Sequence, residues 1–212
     1  SAIRNKENKE MMKFAGKWVC CSHPCSVSMG LPQWQVWYFQ EIMNPKPSMA
    51  LVGMWRTCIY HYNNYSGNVQ VCHQYTYHDS FIPLDIQVSQ HLVLGSSFWG
   101  MIGTASKIVA LWNLYTEKAQ ENTTHSLFCL PGILNILASS FVFFAVLYNY
   151  LSIIFKKDIA FPLSFHMPSF PDTQKAGNSL AVATLSSFFF ELSGTIFLSL
   201  SFHLDTTAHS KM

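Results

Sequence analysis

The sequence predicts a membrane protein of α+β class. It is a four-helix transmembrane bundle with an atypical first helix, carrying a small extracellular antiparallel β-sheet, all in one domain of residues 1–212. Three observations predict it. Half of the residues are hydrophobic and only 11% are charged, less than half the charged share of an ordinary soluble domain. Three stretches, 92–112, 127–150 and 178–204, are apolar over the roughly 20 residues that a bilayer core demands. Ahead of them, residues 31–72 hold aromatic and β-branched runs in which Cys58 and Cys72 flank a turn of Asn63, Asn64, Ser66 and Gly67. Such a turn between such runs suits two short antiparallel strands, and paired strands supply the Cα separation of roughly 5.5 Å that a disulfide needs.

Residues 1–13 carry Arg4, Lys6, Lys9 and Lys13 against Glu7 and Glu10, a basic excess that places this tail in the cytosol. The chain does not begin with Met and shows no secretory signal, so it reads as a fragment or a processed form. Residues 14–31 are the expected first span and a poor one: Lys17, His23 and Pro24 interrupt it, although Lys17 can snorkel to the inner surface. Cys20, Cys21 and Cys25 cluster there without the spacing of a zinc site. Residues 32–91 form the first extracellular loop. Trp34, Val36 and Tyr38 alternate with Gln33, Gln35 and Trp37, a period of two, and 49–62 and 69–77 read as two further strand regions.

The span 92–112 contains one charge, Lys107, and Ser96, Gly100 and Thr104 recur every fourth residue, a spacing that admits a close neighbour helix. The polar segment 113–126 reads as a helix-breaking loop. The strongest span follows at 127–150, with Pro131 near its start, where a membrane helix tolerates it. The second extracellular loop, 151–177, holds Pro162, Pro168 and Pro171 with Phe161, Phe165 and Phe170. The last span carries Glu191. Both termini are then cytosolic, and the Cys58–Cys72 hairpin faces the oxidising side, as a disulfide requires.

Several motifs carry bland and specific readings side by side. Asn64-Tyr65-Ser66 is a glycosylation sequon at the hairpin tip, whereas Asn122-Thr123-Thr124 falls on the cytosolic side and stays bare. His61, His73 and His78 lack the ligand spacing of a metal site. Glu191 and Lys107 lie on spans of the same direction at similar depth, which makes an intramembrane pair a hypothesis to test. There is no GxSxG, HExxH or Walker loop, so no enzymatic activity, cofactor or metal is expected. The formal net charge of +2 is too small to suggest a nucleic-acid partner.

Trp34, Gly53-Met54-Trp55, Cys58 and Cys72 resemble the claudin family, whose first extracellular loop carries a Trp, a Gly-Leu-Trp and two bonded cysteines. Met54 stands at the Leu position. Ser28-Met29-Gly30-Leu31-Pro32-Gln33-Trp34, Phe161-Pro162 and Pro171-Asp172-Thr173-Gln174-Lys175 look like a divergent branch of that family. The resemblance implies a tight-junction adhesion and paracellular barrier or pore protein of the plasma membrane. It implies a five-stranded extracellular sheet with a Cys58–Cys72 disulfide, and Trp34, Gly53 and Trp55 as structural residues at its base. The partners it implies are membrane lipids and other claudin-like proteins, in the same cell and the opposing one, with Phe161, Phe165 and Phe170 as contacts. Glu41, Lys46, Arg56, Asp79 and Asp85 are the charges that would face the paracellular path; both signs are present, which favours barrier or adhesion. The ending His209-Ser210-Lys211-Met212 lacks the aromatic-Val pair that docks on PDZ scaffolds, so scaffold binding is not expected. The alternative within the same superfamily is an accessory or adhesion subunit that forms no strands. A membrane enzyme or transporter working through Glu191 and Lys107 is the competing class.

Overall fold

The structure, a computed structural model, describes residues 28, 30–39, 48–63, 67–76, 82, 84–116, 121–155 and 171–209. In chain order the elements are β1 (Gln35–Phe39), β2 (Ser48–Val52), β3 (Arg56–Asn63), β4 (Gly67–Gln74), α1 (Leu84–Tyr115), α2 (Glu121–Ile154), β5 (Thr173–Ala176) and α3 (Asn178–His209). The chain divides into two compact units. The described residues of one lie within 28–93 and 143–184, and those of the other within 94–142 and 185–209.

The first unit holds the sheet, in the order β4-β3-β2-β1-β5 and antiparallel at every pairing. The pleat sends alternate residues to opposite faces. Trp37, Ala50 and Ile59 stand in register across β1, β2 and β3. With Phe39 and Val52 they pack on Ile86 of α1, flanked by Tyr75 and Ile82. The odd-numbered residues of β1 face this core, including the polar Gln35. A row on the opposite face runs Lys175, Val36, Leu51, Cys58, Cys72.

The second unit holds the greater part of α1, about the first two-thirds of α2 and about the last three-quarters of α3. Ala110, Phe128 and Phe197 form its buried cluster, joined by Leu111, Leu114, Leu127 and Leu200. The Phe128 and Phe197 rings stack with centroids 6.0 Å apart. Beyond that cluster, small and polar residues also meet between the helices. Ser96 donates to the Ala138 carbonyl at 2.9 Å. Ser139 donates to the Ser187 carbonyl at 2.9 Å. A Cβ on Gly194 would lie 2.9 Å from the Gly132 carbonyl oxygen, so α2 and α3 approach backbone to backbone there, the packing that small residues permit.

Three helical segments among the described residues are long and apolar enough to cross a membrane: Leu84–Leu114, Ser126–Ile154 and Asn178–His203. The expected first span lies outside the described residues apart from Ser28, Gly30 and Leu31. Three sequence expectations need correction. The region 49–62 is two strands, because Gly53-Met54-Trp55 turns the chain and the Gly53 amide closes on the Arg56 carbonyl at 3.0 Å. The segment 113–126 does not break the helices where its composition suggests; Asn113 and Thr116 bond back to the Val109 and Trp112 carbonyls, and α2 begins at Glu121. The segment before α3 supplies β5, which pairs with β1 and completes the five strands that the resemblance implies. The Ser96/Gly100/Thr104 stripe meets two helices and not one: Ser96 bonds to α2, whereas Gly100 packs under Phe190 of α3.

Gly177 is the tightest backbone position, since a Cβ there would lie 1.9 Å from the Gln33 carbonyl oxygen, while Gly30 has open space within 4 Å. Gly177→Ala is expected to cost at least about 3 kcal/mol and Gly30→Ala about 0.5 kcal/mol or less. Reversible unfolding of both variants in detergent measures the contrast.

Candidate functional site

The sheet is anchored where residues 32–34 pass between Gly53 and Gly177. A Cβ on Gly53 would lie 2.8 Å from Pro32 Cα and 2.9 Å from the Arg56 carbonyl oxygen, so both glycines meet main chain that cannot give way. Hydrogen bonds fix the crossing. The Trp34 amide donates to Val52 at 3.1 Å, Gly177 donates to Trp34 at 3.0 Å, and Ser179 donates to Gln33 at 3.1 Å. The buried Trp34 ring donates from Nε1 to the Ser28 carbonyl at 3.0 Å. Met54 is buried, and its carbonyl accepts from the Gln90 side chain of α1. Trp55 lies differently: its side chain is 36% exposed, while its carbonyl accepts from the Tyr75 amide at 2.9 Å. Trp34, Gly53 and Met54 therefore sit inside the base of the sheet, and Trp55 presents its ring at the surface.

Cys58 and Cys72 stand directly opposite each other on β3 and β4 and are joined by a disulfide, with Cα atoms 4.0 Å apart. Cys58 is buried and Cys72 exposed. The hairpin tip with Asn64 lies outside the described residues. Register puts Arg56, Gln70 and Gln74 on the face that carries the disulfide, with Tyr38 and Lys175. The Lys175 ammonium lies 5.3 Å from the Tyr38 ring centroid, a cation–π pair at an exposed site. Arg56 and Lys175 thus give the described part of this face a cationic, hydrogen-bonding surface.

Asp85 corrects an expectation: it is buried in the first turn of α1 and does not present its charge on a surface. Glu41, Lys46, Asp79, His78, Phe161, Phe165 and Phe170 lie outside the described residues, as does the side chain of His61. His73 is half-buried on β4, opposite Thr57.

A chain of side chains that the sequence reading missed runs behind the sheet. Trp37 Nε1 donates to Gln35 Oε1 at 3.1 Å. Gln35 Nε2 donates to Asn149 Oδ1 of α2 at 3.3 Å. Asn149 Nδ2 donates to Ser89 Oγ of α1 at 2.8 Å, and Ser89 donates to the Asp85 carbonyl at 2.7 Å. Every side chain in it is buried. In low dielectric, a connected set of this kind fixes one arrangement of strand and helices, because a buried polar group that loses its partners is costly.

In the helical unit the expected pair between Lys107 and Glu191 does not form. Lys107, 1% exposed, donates from Nζ to Asn135 Oδ1 at 2.9 Å and to Ser193 Oγ at 2.7 Å. It also lies 5.5 Å from the Phe197 ring centroid. Asn135 is itself oriented by donating Nδ2 to the Pro131 carbonyl at 2.5 Å. Glu191 is exposed on α3. It precedes Ser193 by two residues, roughly 200° around a helix of 3.6 residues per turn, so it looks away from Lys107. One ammonium joins all three helices through two oxygens and a ring face, matching its three donors.

The architecture is thus that of apolar helices of membrane-spanning length carrying a stapled five-stranded sheet. A scan of protein-family models and a search of curated proteins each find no match to this chain.

Asn135→Leu is expected to cost about 2–3 kcal/mol, because it takes an acceptor from a buried ammonium. The double variant Lys107→Met/Asn135→Leu is expected to cost less than the sum of the two single changes by about 1 kcal/mol or more. A double-mutant cycle of unfolding in detergent reads this coupling, and strict additivity would show the two side chains to be independent.

Proposed function

We propose that this chain is a claudin-type membrane protein of cell–cell junctions, acting in adhesion and in the paracellular barrier through its extracellular sheet. The observation that carries the reading is the sheet itself. Its strand β5 comes from the segment between two apolar helices and pairs with β1, so both loops share one sheet, stapled at Cys58–Cys72. That is the arrangement the resemblance implies. The Trp34 and Gly53-Met54-Trp55 residues that carry the resemblance meet at its base. On this reading the disulfide lies on the oxidising side of the membrane, the sheet is extracellular, both termini are cytosolic and residues 14–31 are the fourth span. A sheet held this firmly offers a preorganised face for other copies on the same and the opposing cell, which lowers the ordering cost of association. Arg56 and Lys175 on the stapled face would repel cations along a paracellular path.

Expression in cells that lack junctions, followed by freeze-fracture, tests the proposal. Continuous intramembrane strands at cell contacts are expected, and their loss is expected in Cys58→Ser/Cys72→Ser. Smooth fracture faces, with normal surface levels of the unmodified chain, would instead assign it to the accessory subunits of the same superfamily.

A further inference from the structure

We propose that the disulfide-bearing face of the sheet docks an extended sulfated polysaccharide, with Arg56 and Lys175 each holding a sulfate. The inference rests on the extracellular placement of the sheet and not on the family resemblance. Both cations are exposed, and the register of the strands sets the distance between them. Lys175 ends the row that runs through Val36 and Leu51 to Cys58. Arg56 lies two residues before Cys58 on β3. Three strand spacings across and two residues along place the two positions roughly 16 Å apart. A single small anion does not reach both, whereas a chain with anionic groups repeating along its length does. Among the described side chains no carboxylate stands between them. Asp85 is buried in α1, and Asp172 stands before β5, at the other end of the face from Arg56. The positive potential of the face therefore favours a polyanion.

The surface between the cations favours a sugar chain over an acidic peptide. Peptides are held by pockets for their side chains. Here the apolar centre of the face is closed, with Leu51 and Cys58 buried. Around it the exposed residues Thr173, Gln70 and Gln74 end in hydroxyl or amide groups, which give and accept hydrogen bonds as sugar hydroxyls require. Tyr38 adds an aromatic ring, an apolar body with a polar tip, against which the C–H groups of a sugar ring can lie. The Lys175 ammonium stands 5.3 Å from the centroid of that ring, so cation and ring are placed together before any ligand arrives, which lowers the ordering cost of binding. Arg56 brings the planar fork that matches a tetrahedral oxyanion, and Lys175 a point charge.

Heparin binding to the full-length protein in nanodiscs tests this. Poly-glutamate serves as the acidic-peptide probe, and hyaluronan, with carboxylates but no sulfate, as the unsulfated sugar. The background changes Arg4, Lys6, Lys9 and Lys13 to Gln, which removes the basic tail as a competing site. At about 0.15 M salt, heparin is expected to bind and the other two probes to bind at least roughly tenfold more weakly. Arg56→Gln/Lys175→Gln is expected to lower the heparin affinity roughly tenfold or more, and Lys175→Arg to stay within roughly threefold. Thiol labelling of Cys58 and Cys72 verifies that each variant keeps its disulfide. No heparin binding would overturn the proposal. So would binding that Arg56→Gln/Lys175→Gln leaves unchanged with the disulfide intact, or poly-glutamate binding as tightly as heparin. Labelled heparin on intact cells tests the placement separately: binding by the purified protein but not by cells that express it would overturn the extracellular position of the sheet, and with it this role.

Discussion

The sheet depends on one crowded passage, where the backbone of residues 32–34 threads between two glycines. Gly53 is closed by Pro32 and Arg56, and Gly177 by Gln33. All the obstructing atoms belong to main chain, so no rotamer change can relieve an added methyl. The passage brings the start of β1, the turn between β2 and β3 and the start of α3 to one point, three places far apart in the sequence. The hydrogen bonds of Trp34, Gly177 and Ser179 then follow from the proximity. The register of β1 with both β2 and β5 is set from this end. A one-residue slip would turn Trp37 and Phe39 out of the core.

Helices that pack in lipid gain little from the hydrophobic effect, because acyl chains are as apolar as leucine, and their contacts rely on close packing and hydrogen bonds. The helical unit follows that rule. Gly132 and Gly194 bring two backbones together, serines bond across helices, and Lys107 ties all three at one point. The cost of holding a lysine there is met locally by two oxygens and the Phe197 ring.

The large features were legible because each rests on a signal that repeats along the chain. Three spans follow from hydropathy sustained over many residues, and the stapled hairpin from cysteines flanking a polar turn. What escaped rests on single residues whose meaning depends on remote partners. Thr173-Gln174-Lys175-Ala176 has little strand propensity, and its pairing with β1 makes it a strand. Gln35 reads as a solvent-facing residue until Asn149, 114 positions later, is seen to bond it. A usable signal did exist in α2. Asn135, Ala138, Val142, Ala145 and Asn149 are all buried and follow a heptad spacing, so the two asparagines stand on one inward seam of an otherwise apolar helix. Glu191 and Lys107 were matched by depth alone; the angle around the helix, which decides whether two side chains meet, was not weighed.

The three-way anchorage of Lys107 also sets a timetable for synthesis. Asn135 follows it by 28 residues and Ser193 by 86. At roughly 5–20 residues per second, the ribosome needs about 4–17 s to make the second acceptor after Lys107 itself is made. On the membrane reading, α1 is held for that interval at the insertion machinery, or within reach of α2 alone, with a lysine that an isolated helix would insert at a penalty of about 3 kcal/mol. Maturation of the bundle is therefore tied to the synthesis of α3. A chain truncated before Ser193 would present quality-control factors with an unfinished lysine site in the membrane.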